Sequence, residues 1–433
     1  MTVERLGNGV APSPASRSHC AGELNATRRR RARSSLTFSA LLIASTPTAA
    51  CRRETSGDRG NIRALSDEHS IHRSDPSVHL GERLLTLAAA GSCARVRADA
   101  SVRCWGRGGG FEFDAPTALP RIERVSQVAL GRGHACVLHL DHAVECWGLN
   151  DKSQLGVAPS VYEWRFPAPV RGLADVAELS LSMSTSCARF RDGDAACWGD
   201  DAYGQLGDGR IGPVEAKPFH IVGLGTVAQI ALGKSHACAR AVGSDGRDDR
   251  GGVVHCWGDN AAGELGDGTT IAGSLPVLVD GIRAVELAVG DDHTCARTQD
   301  GAVLCWGSDA SGQLGDGAIA PSKPTPQPVA GITDAIELAI GDDHSCALLA
   351  GGSVRCWGGN DQGQLGDGTI GGSRALAVTP LGVERAIEIA AGGAHTCARI
   401  EERAALCWGR NAEGQIAASL GTAPISTPVR VEW

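Results

Sequence analysis

Apolar and polar positions alternate in short bursts along most of this chain. Residues 276–317, PVLVDGIRAVELAVGDDHTCARTQDGAVLCWGSDASGQLGDG, show the pattern. A short apolar run after Pro276 ends at Asp280-Gly281, and a second, VELAVG (285–290), closes at Gly290. Two more, HTCAR and AVLCWG, flank a turn at Gln299-Asp300-Gly301. Short apolar runs separated by Gly and Asp clusters predict strands joined by hairpins. The unit recurs: Cys-Trp-Gly stands at Cys104, Cys146, Cys197, Cys256, Cys305, Cys356 and Cys407, about fifty residues apart. That period predicts an array of like units, and four strands per unit predict one propeller blade. The expected fold is all-β, a seven-bladed β-propeller of four-stranded blades.

The ends of the array suggest how the ring closes. The first unit begins at Leu80 and lacks an opening Pro-Val strand. The chain ends in TPVRVEW, whose Pro428-Val429-Arg430 matches Pro169-Val170-Arg171 at the opening of a full unit. The C-terminal strand is therefore expected to complete the first blade and latch the ring, removing open sheet edges.

A second cysteine precedes each Cys-Trp-Gly: Cys93, Cys136, Cys187, Cys238, Cys295, Cys346 and Cys397. In five units the two are ten residues apart. Cys295 and Cys305 are symmetric about residue 300, so a three-residue loop 299–301 sets them opposite each other. Such loops want a left-handed third residue, and Gly301, Gly193 and Gly352 supply it. Opposed residues on antiparallel strands are within disulfide reach. One disulfide per unit places the protein outside the reducing cytosol. Three units depart from the pattern. Cys93 and Cys104 are eleven residues apart without the loop glycine, which predicts a slight slip of register. Arg403 replaces the glycine in the last unit. Cys238 and Cys256 are eighteen apart, with Asp245, Asp248 and Asp249 in a bulge that reads as a solvated hairpin tip and lacks calcium-loop spacing.

Composition supports turn-dense β-structure, with 58 Gly and only 4% aromatics among 433 residues. Residues 80–433 hold 42 of the 49 Asp and Glu but 29 of the 41 Lys and Arg. An acidic array argues against wrapping nucleic acid, which needs clustered cations.

The N-terminal segment reads differently. A basic run at 28–33, an apolar stretch at 36–45 and small residues before Cys51 have the layout of a secretory signal. The apolar stretch is too short to span a membrane. A small-residue run ending in cysteine resembles a bacterial lipoprotein cleavage site, with Cys51 the lipidation candidate and Thr48 where an aliphatic residue is usual. Residues 1–51 are thus expected to be a targeting segment, 52–79 a disordered polar tether, and 80–433 the propeller. Without Cys20 and Cys51, fourteen cysteines remain, or seven pairs.

The unit as a whole, V-x-E-L-A-x-G-x-x-H-x-C-A-R-x-x-D-G-x-V-x-C-W-G-x-N-x-x-G-Q-L-G-D-G, resembles the repeat of the regulator of chromosome condensation 1 family. Gly-Gln-Leu-Gly stands at 204–207, 312–315 and 363–366, and Gly-Glu-Leu-Gly at 263–266. The resemblance covers 80–433 and implies a seven-bladed propeller. Cysteine before tryptophan in every unit is similar to secreted bacterial members, among them a β-lactamase inhibitor protein. The eukaryotic founder is a guanine-nucleotide exchange factor that binds chromatin. That role is not carried over, because the only candidate wedge is the short 243–252 bulge.

Repeat-borne residues read as structural. One tryptophan per unit, Trp105 through Trp408, fits packing between blades. His134, His236, His293, His344 and His395 are expected to stabilise turns, with Gly91 and Thr185 at the other two positions. No nucleophile, base and orienter stand outside the repeat, so catalysis, cofactor and metal are not expected. Aromatics outside the repeat gather in connections between blades: Phe111, Phe113, Tyr162, Trp164, Phe166, Tyr203 and Phe219. The segment VYEWRF is densest, so Phe111, Phe113, Tyr162, Trp164, Arg165 and Phe166 are the protein-binding candidates, with plugs over seams as the competing role.

The sequence therefore predicts a non-catalytic, monomeric protein-binding propeller of the cell envelope or exterior. It would touch membrane only through a lipid anchor and bind a protein, or alternatively a glycan. An inhibitor of an extracellular enzyme such as a β-lactamase is the second reading, and a cytosolic exchange factor the third.

Overall fold

The computed structural model describes residues 83–159, 163–242 and 251–433, without the side chains of Trp164 and Arg165. The targeting segment, the tether, Cys51, Tyr162 and the Asp245–Asp249 bulge lie outside the described residues. Among the described residues, twenty-eight strands form seven four-stranded antiparallel sheets, each a meander of consecutive strands. Blade 5 stands for all. Its inner strand Glu286–Val289 pairs with His293–Arg297, then Val303–Ser308, then the outer strand Ser322–Pro328. Blades 1 to 7 begin at Leu85, Val125, Val176, Thr226, Glu286, Ala335 and Glu388.

In every blade the two cysteines stand directly opposite each other on adjacent strands. Cys295 faces Cys305, and all seven pairs are disulfide-bonded with Cα atoms 4.1 Å apart. Gly301, Gly193 and Gly352 take the positive φ the loop requires. The units lacking glycine solve the same problem differently. Cys93 and Cys104 are in register, contrary to expectation, because a longer loop with Ala100 at φ 51° absorbs the extra residue. Around Arg403 the pairing shifts by one residue, and a tighter turn replaces the left-handed position.

The expected latch does not form. The C-terminal strand Ile425–Glu432 pairs with Ala404–Gly409 in blade 7, and blade 1 is complete with Phe111–Ala118 as its own outer strand. The outer strand after each Cys-Trp-Gly returns beside the strand it has just left, so every blade is one contiguous stretch of chain. Side chains close the last seam. Trp433 stacks on Trp105 at 6.0 Å, and Glu388 Oε1 accepts from the backbone N–H groups of Leu84 and Leu85 at 2.7 and 2.8 Å.

The apolar core is divided among the seams. Each cluster joins the disulfide of one blade to the tryptophan of the next: Cys295 and Cys305 with Trp357, Cys346 and Cys356 with Trp408, Cys397 and Cys407 with Trp105. The staples thus cross-link within a blade and also form the wall against which its neighbour packs.

Candidate functional site

Seam chemistry accounts for the repeated tryptophans and histidines. Trp198, Trp257, Trp306, Trp357 and Trp408 each donate Nε1–H to the carbonyl of the Gln or Glu that precedes Leu-Gly in the preceding blade's connection, at 2.8–2.9 Å. The histidines do not chiefly brace their own turns. Their Nε2 atoms meet a hydroxyl on the next blade: His134 with Ser186, His236 with Thr294, His293 with Ser345, His344 with Thr396, and His395 with Ser92, at 2.8–3.0 Å. Burial pushes His134, His236, His293 and His395 down to about 3 and His344 to about 4, so these rings are neutral at pH 7. Five rings in five different seams do not converge as metal ligands must.

The inner strands line an axial cavity of about 450 Å³. Side chains bridge its seams at one end. Gln127 exchanges two hydrogen bonds with the backbone of Leu179, Gln229 does so with Leu287, and Glu286 and Glu337 accept from Leu338 and Ile389 N–H. Arg189, Arg297 and Arg399 neutralise Glu178, Glu286 and Glu388 within their own blades. In blade 6 the corresponding residue is Leu348, and Arg83, just before blade 1, supplies the charge instead. It lies 2.6 Å from Glu286 and 3.5 Å from Glu337. Because Glu286 pairs with Arg297, next to the 299–301 hairpin, this is the hairpin face.

The Cys-Trp-Gly strands end on the opposite face, at the turns that precede the histidines. Arg132, Lys234, Asp291 and Asp342 ring the channel mouth there. Burial, helped by Asp342 and Asp292, pushes Asp291 up to about 7. This face also carries the connections to the outer strands. Each connection is held rigidly. Asn260 Oδ1 accepts from Leu265 N–H at 2.9 Å, and Asp309 and Asn360 do likewise for Leu314 and Leu365. Gly268, Gly317 and Gly368 then donate to outer-strand carbonyls of the following blade.

The aromatic candidates separate. Phe111 and Phe113 stack on each other at 6.0 Å, half-buried against the core of the blade 1–2 seam. Blade 1 turns through Gly109-Gly110 where other blades have a long connection, and the two rings fill that place. A Cβ on Gly91 would stand 2.9 Å from the Phe111 ring, which explains glycine where other units carry histidine. Phe166 is 73% exposed on the outer strand Glu163–Pro169 of blade 2, which also carries the backbone of Trp164 and Arg165. Phe219 is half-buried beneath the Arg210 guanidinium.

One exposed apolar feature lies outside the aromatic candidates. Ile211, Ile271, Ile319 and Ile370, each two or three residues past a Gly-Asp-Gly turn, are 54–74% exposed at equivalent places in blades 3 to 6, with Leu420 beyond them in blade 7. The signal in the sequence is one isoleucine two or three residues past each Gly-Asp-Gly.

Comparison with known proteins follows the fold. Residues 100–433 match the family model described as RCC1-like domain. The chain is similar to the E3 ubiquitin-protein ligase HERC2 of Homo sapiens, 30% identical over 316 residues covering 68% of this chain and 6% of that protein. It is 28% identical over 320 residues to the ultraviolet-B receptor UVR8 of Arabidopsis thaliana, covering 70% of this chain and 68% of that one. The chain thus spans a small part of the ligase. The structure of yeast RCC1 (Prp20) bound to Kap60 superposes with a TM-score of 0.68 over 88% of this chain and 91% of that one, at 21% identity. A second yeast structure, of Prp20p, whose description concerns binding to Gsp1p and histones, gives 0.68 over 83% and 89%, also at 21% identity. At these identities the superpositions speak for the fold alone.

Proposed function

The chain belongs to the family of RCC1-like domains, and from that premise we propose that it is a non-catalytic protein-binding propeller acting outside the reducing cytosol, in the cell envelope or beyond it. The observation that carries this is the set of seven disulfides. All fourteen bridged cysteines are fully buried, each pair lies directly opposite on adjacent strands, and each forms the wall of a seam. By chain entropy a closed ring of this size contributes roughly 2.7 kcal/mol. A reducing compartment would forfeit that contribution in every blade. Binding is the reading that a rigid ring presenting long connections supports, and the similar yeast structures are described as bound to Kap60 in one case and with binding properties to Gsp1p and histones in the other. Within it, the protein acts as a monomer held by the Cys51 lipid or released, and inhibition of an extracellular enzyme is one form the binding takes. Cell fractionation with an epitope at the C-terminus tests the compartment. Recovery in the envelope or medium supports the proposal, and recovery in the soluble cytosol refutes it.

A further inference from the structure

We propose that the arc formed by Ile211, Ile271, Ile319 and Ile370 is a docking surface for a basic polypeptide segment that carries apolar side chains. The inference rests on the protein-binding reading and assigns it a face and a partner chemistry.

A single exposed isoleucine is ordinary. Recurrence at one place in four successive blades is not, because it gives one face a repeated apolar element, and exposed apolar surface beyond scattered single residues marks interaction sites. In the same connections the leucines Leu206, Leu265, Leu314 and Leu365 are fully buried, so the chain distinguishes the two positions. Outer-strand leucines extend the surface. Leu275 packs beside Gly209, two residues from Ile211, and Leu376 beside Gly317, two residues from Ile319. Both leucines are about half exposed. The connections are already fixed by their Asn and Asp caps and by the bonds from Gly268 and Gly317 to the next blade. A partner therefore meets a surface that needs little further ordering.

Charge selects the occupant. Connections 201–213, 259–272, 309–321 and 359–373 hold nine carboxylates, of which Asp201, Glu264 and Asp309 are buried, against the single cation Arg210, and two Asp-Asp turns at 291–292 and 342–343 adjoin them, sharing the channel mouth with Arg132 and Lys234. Lys323 and Arg374 on the outer strands offset Asp316 and Asp367. The remainder repels nucleic acid, anionic lipid and a second copy of the same face, and favours Lys and Arg. A sugar would need aromatic platforms, and isoleucine offers none.

The test uses the full-length oxidised protein and three fluorescent peptides: one alternating Lys and Leu, one with Glu for Lys, and one with Ser for Leu. Fluorescence anisotropy reads binding. The Lys-Leu peptide should bind, the other two should bind at least about tenfold more weakly, and added salt should weaken the complex. The triple variant Ile271→Ser, Ile319→Ser, Ile370→Ser keeps every charge and should lose about tenfold or more in affinity with its melting temperature unchanged. Leu140→Ser, at an exposed position in the hairpin 139–143 of the other face, should change nothing. Wild-type affinity in the triple variant would overturn the proposal, as would equal binding of the Glu-Leu peptide or no binding of the Lys-Leu peptide. If Phe166→Ala instead abolishes binding while the triple variant retains it, the protein-binding reading stands and this surface falls.

Discussion

Arg83 reaches Glu286 at 2.6 Å and stands 3.5 Å from Glu337, answering a carboxylate that its own blade leaves without a cation. Blades 3, 5 and 7 each pair the inner glutamate with an arginine on the neighbouring strand, whereas blade 6 has Leu348 there. Burial pushes Glu337 up to about 8, against the pull of Arg83. The folded state therefore holds that proton more tightly than the unfolded chain does. The associated stabilisation is whole below the ordinary carboxylate pKa of 4.5 and is lost as pH rises through about 8.

Glu337→Gln should accordingly raise stability above pH 8, on the order of 1–2 kcal/mol, with little effect near pH 4. Glutamine suits the site, since Gln127 and Gln229 already bridge two seams. Arg83→Met should destabilise at pH 8, and the double variant should recover most of the loss. Urea midpoints at the two pH values read both effects. An unchanged pH dependence in Glu337→Gln would contradict the assignment.

The buried histidines predict the opposite slope. His293 is pushed down to about 3, first by burial and then by His344 and His236, while the unfolded imidazole titrates near 6.5. Its contribution is complete above pH 6.5 and is lost as pH falls toward 3. His293→Gln should flatten the acid limb of the stability profile and cost about 1–2 kcal/mol at pH 7 through the bond to Ser345. Denaturation curves from pH 4 to 7 check this. A parallel shift without a change of slope would be the contrary result.

Removing one staple should weaken two blades. Cys346→Ala with Cys356→Ala abolishes an eleven-residue ring, roughly 2.7 kcal/mol, and strips the surface that packs on Trp408. Total losses on the order of 3–5 kcal/mol are expected. Hydrogen exchange should quicken in blade 7 as well as blade 6. Quickening confined to blade 6 would mean that the disulfide does not support its neighbour.

The aromatic residues should divide by role. Phe111→Ala empties a seam position and should cost about 3 kcal/mol of stability. Phe166→Ala should leave the melting temperature unchanged, because that ring is 73% exposed. If the blade 2 outer strand contributes to a partner contact, Trp164→Ala should weaken binding by about 2 kcal/mol without unfolding. Calorimetry on each variant distinguishes the two classes.

The fold was legible because the repeat states its strands, turns and cysteine pairs in every unit. Gly301 fixes a three-residue loop, and that loop sets Cys295 opposite Cys305. The latch was misread because a periodic sequence has no marked origin. Pro428-Val429 looks alike whether it opens a unit or ends one, and only the pairing of Cys407 with Val429 decides. The histidines were misassigned for a related reason. Their partners, such as Ser345 for His293, lie a full repeat away, and spacing within one unit does not reveal a contact between units. Arg83 was invisible because its partners are two blades' worth of glutamates far along the chain. The isoleucine arc is not legible in the sequence, because aliphatic residues in loops carry no chemistry until their exposure is known.

The oxidation state of the fourteen propeller cysteines tests the central claim most directly. Native protein from fractionated cells, alkylated under denaturing, non-reducing conditions and weighed intact, should show seven closed pairs in the propeller, each within one blade. Fourteen alkylated thiols would place the propeller in a reducing compartment and contradict the envelope role.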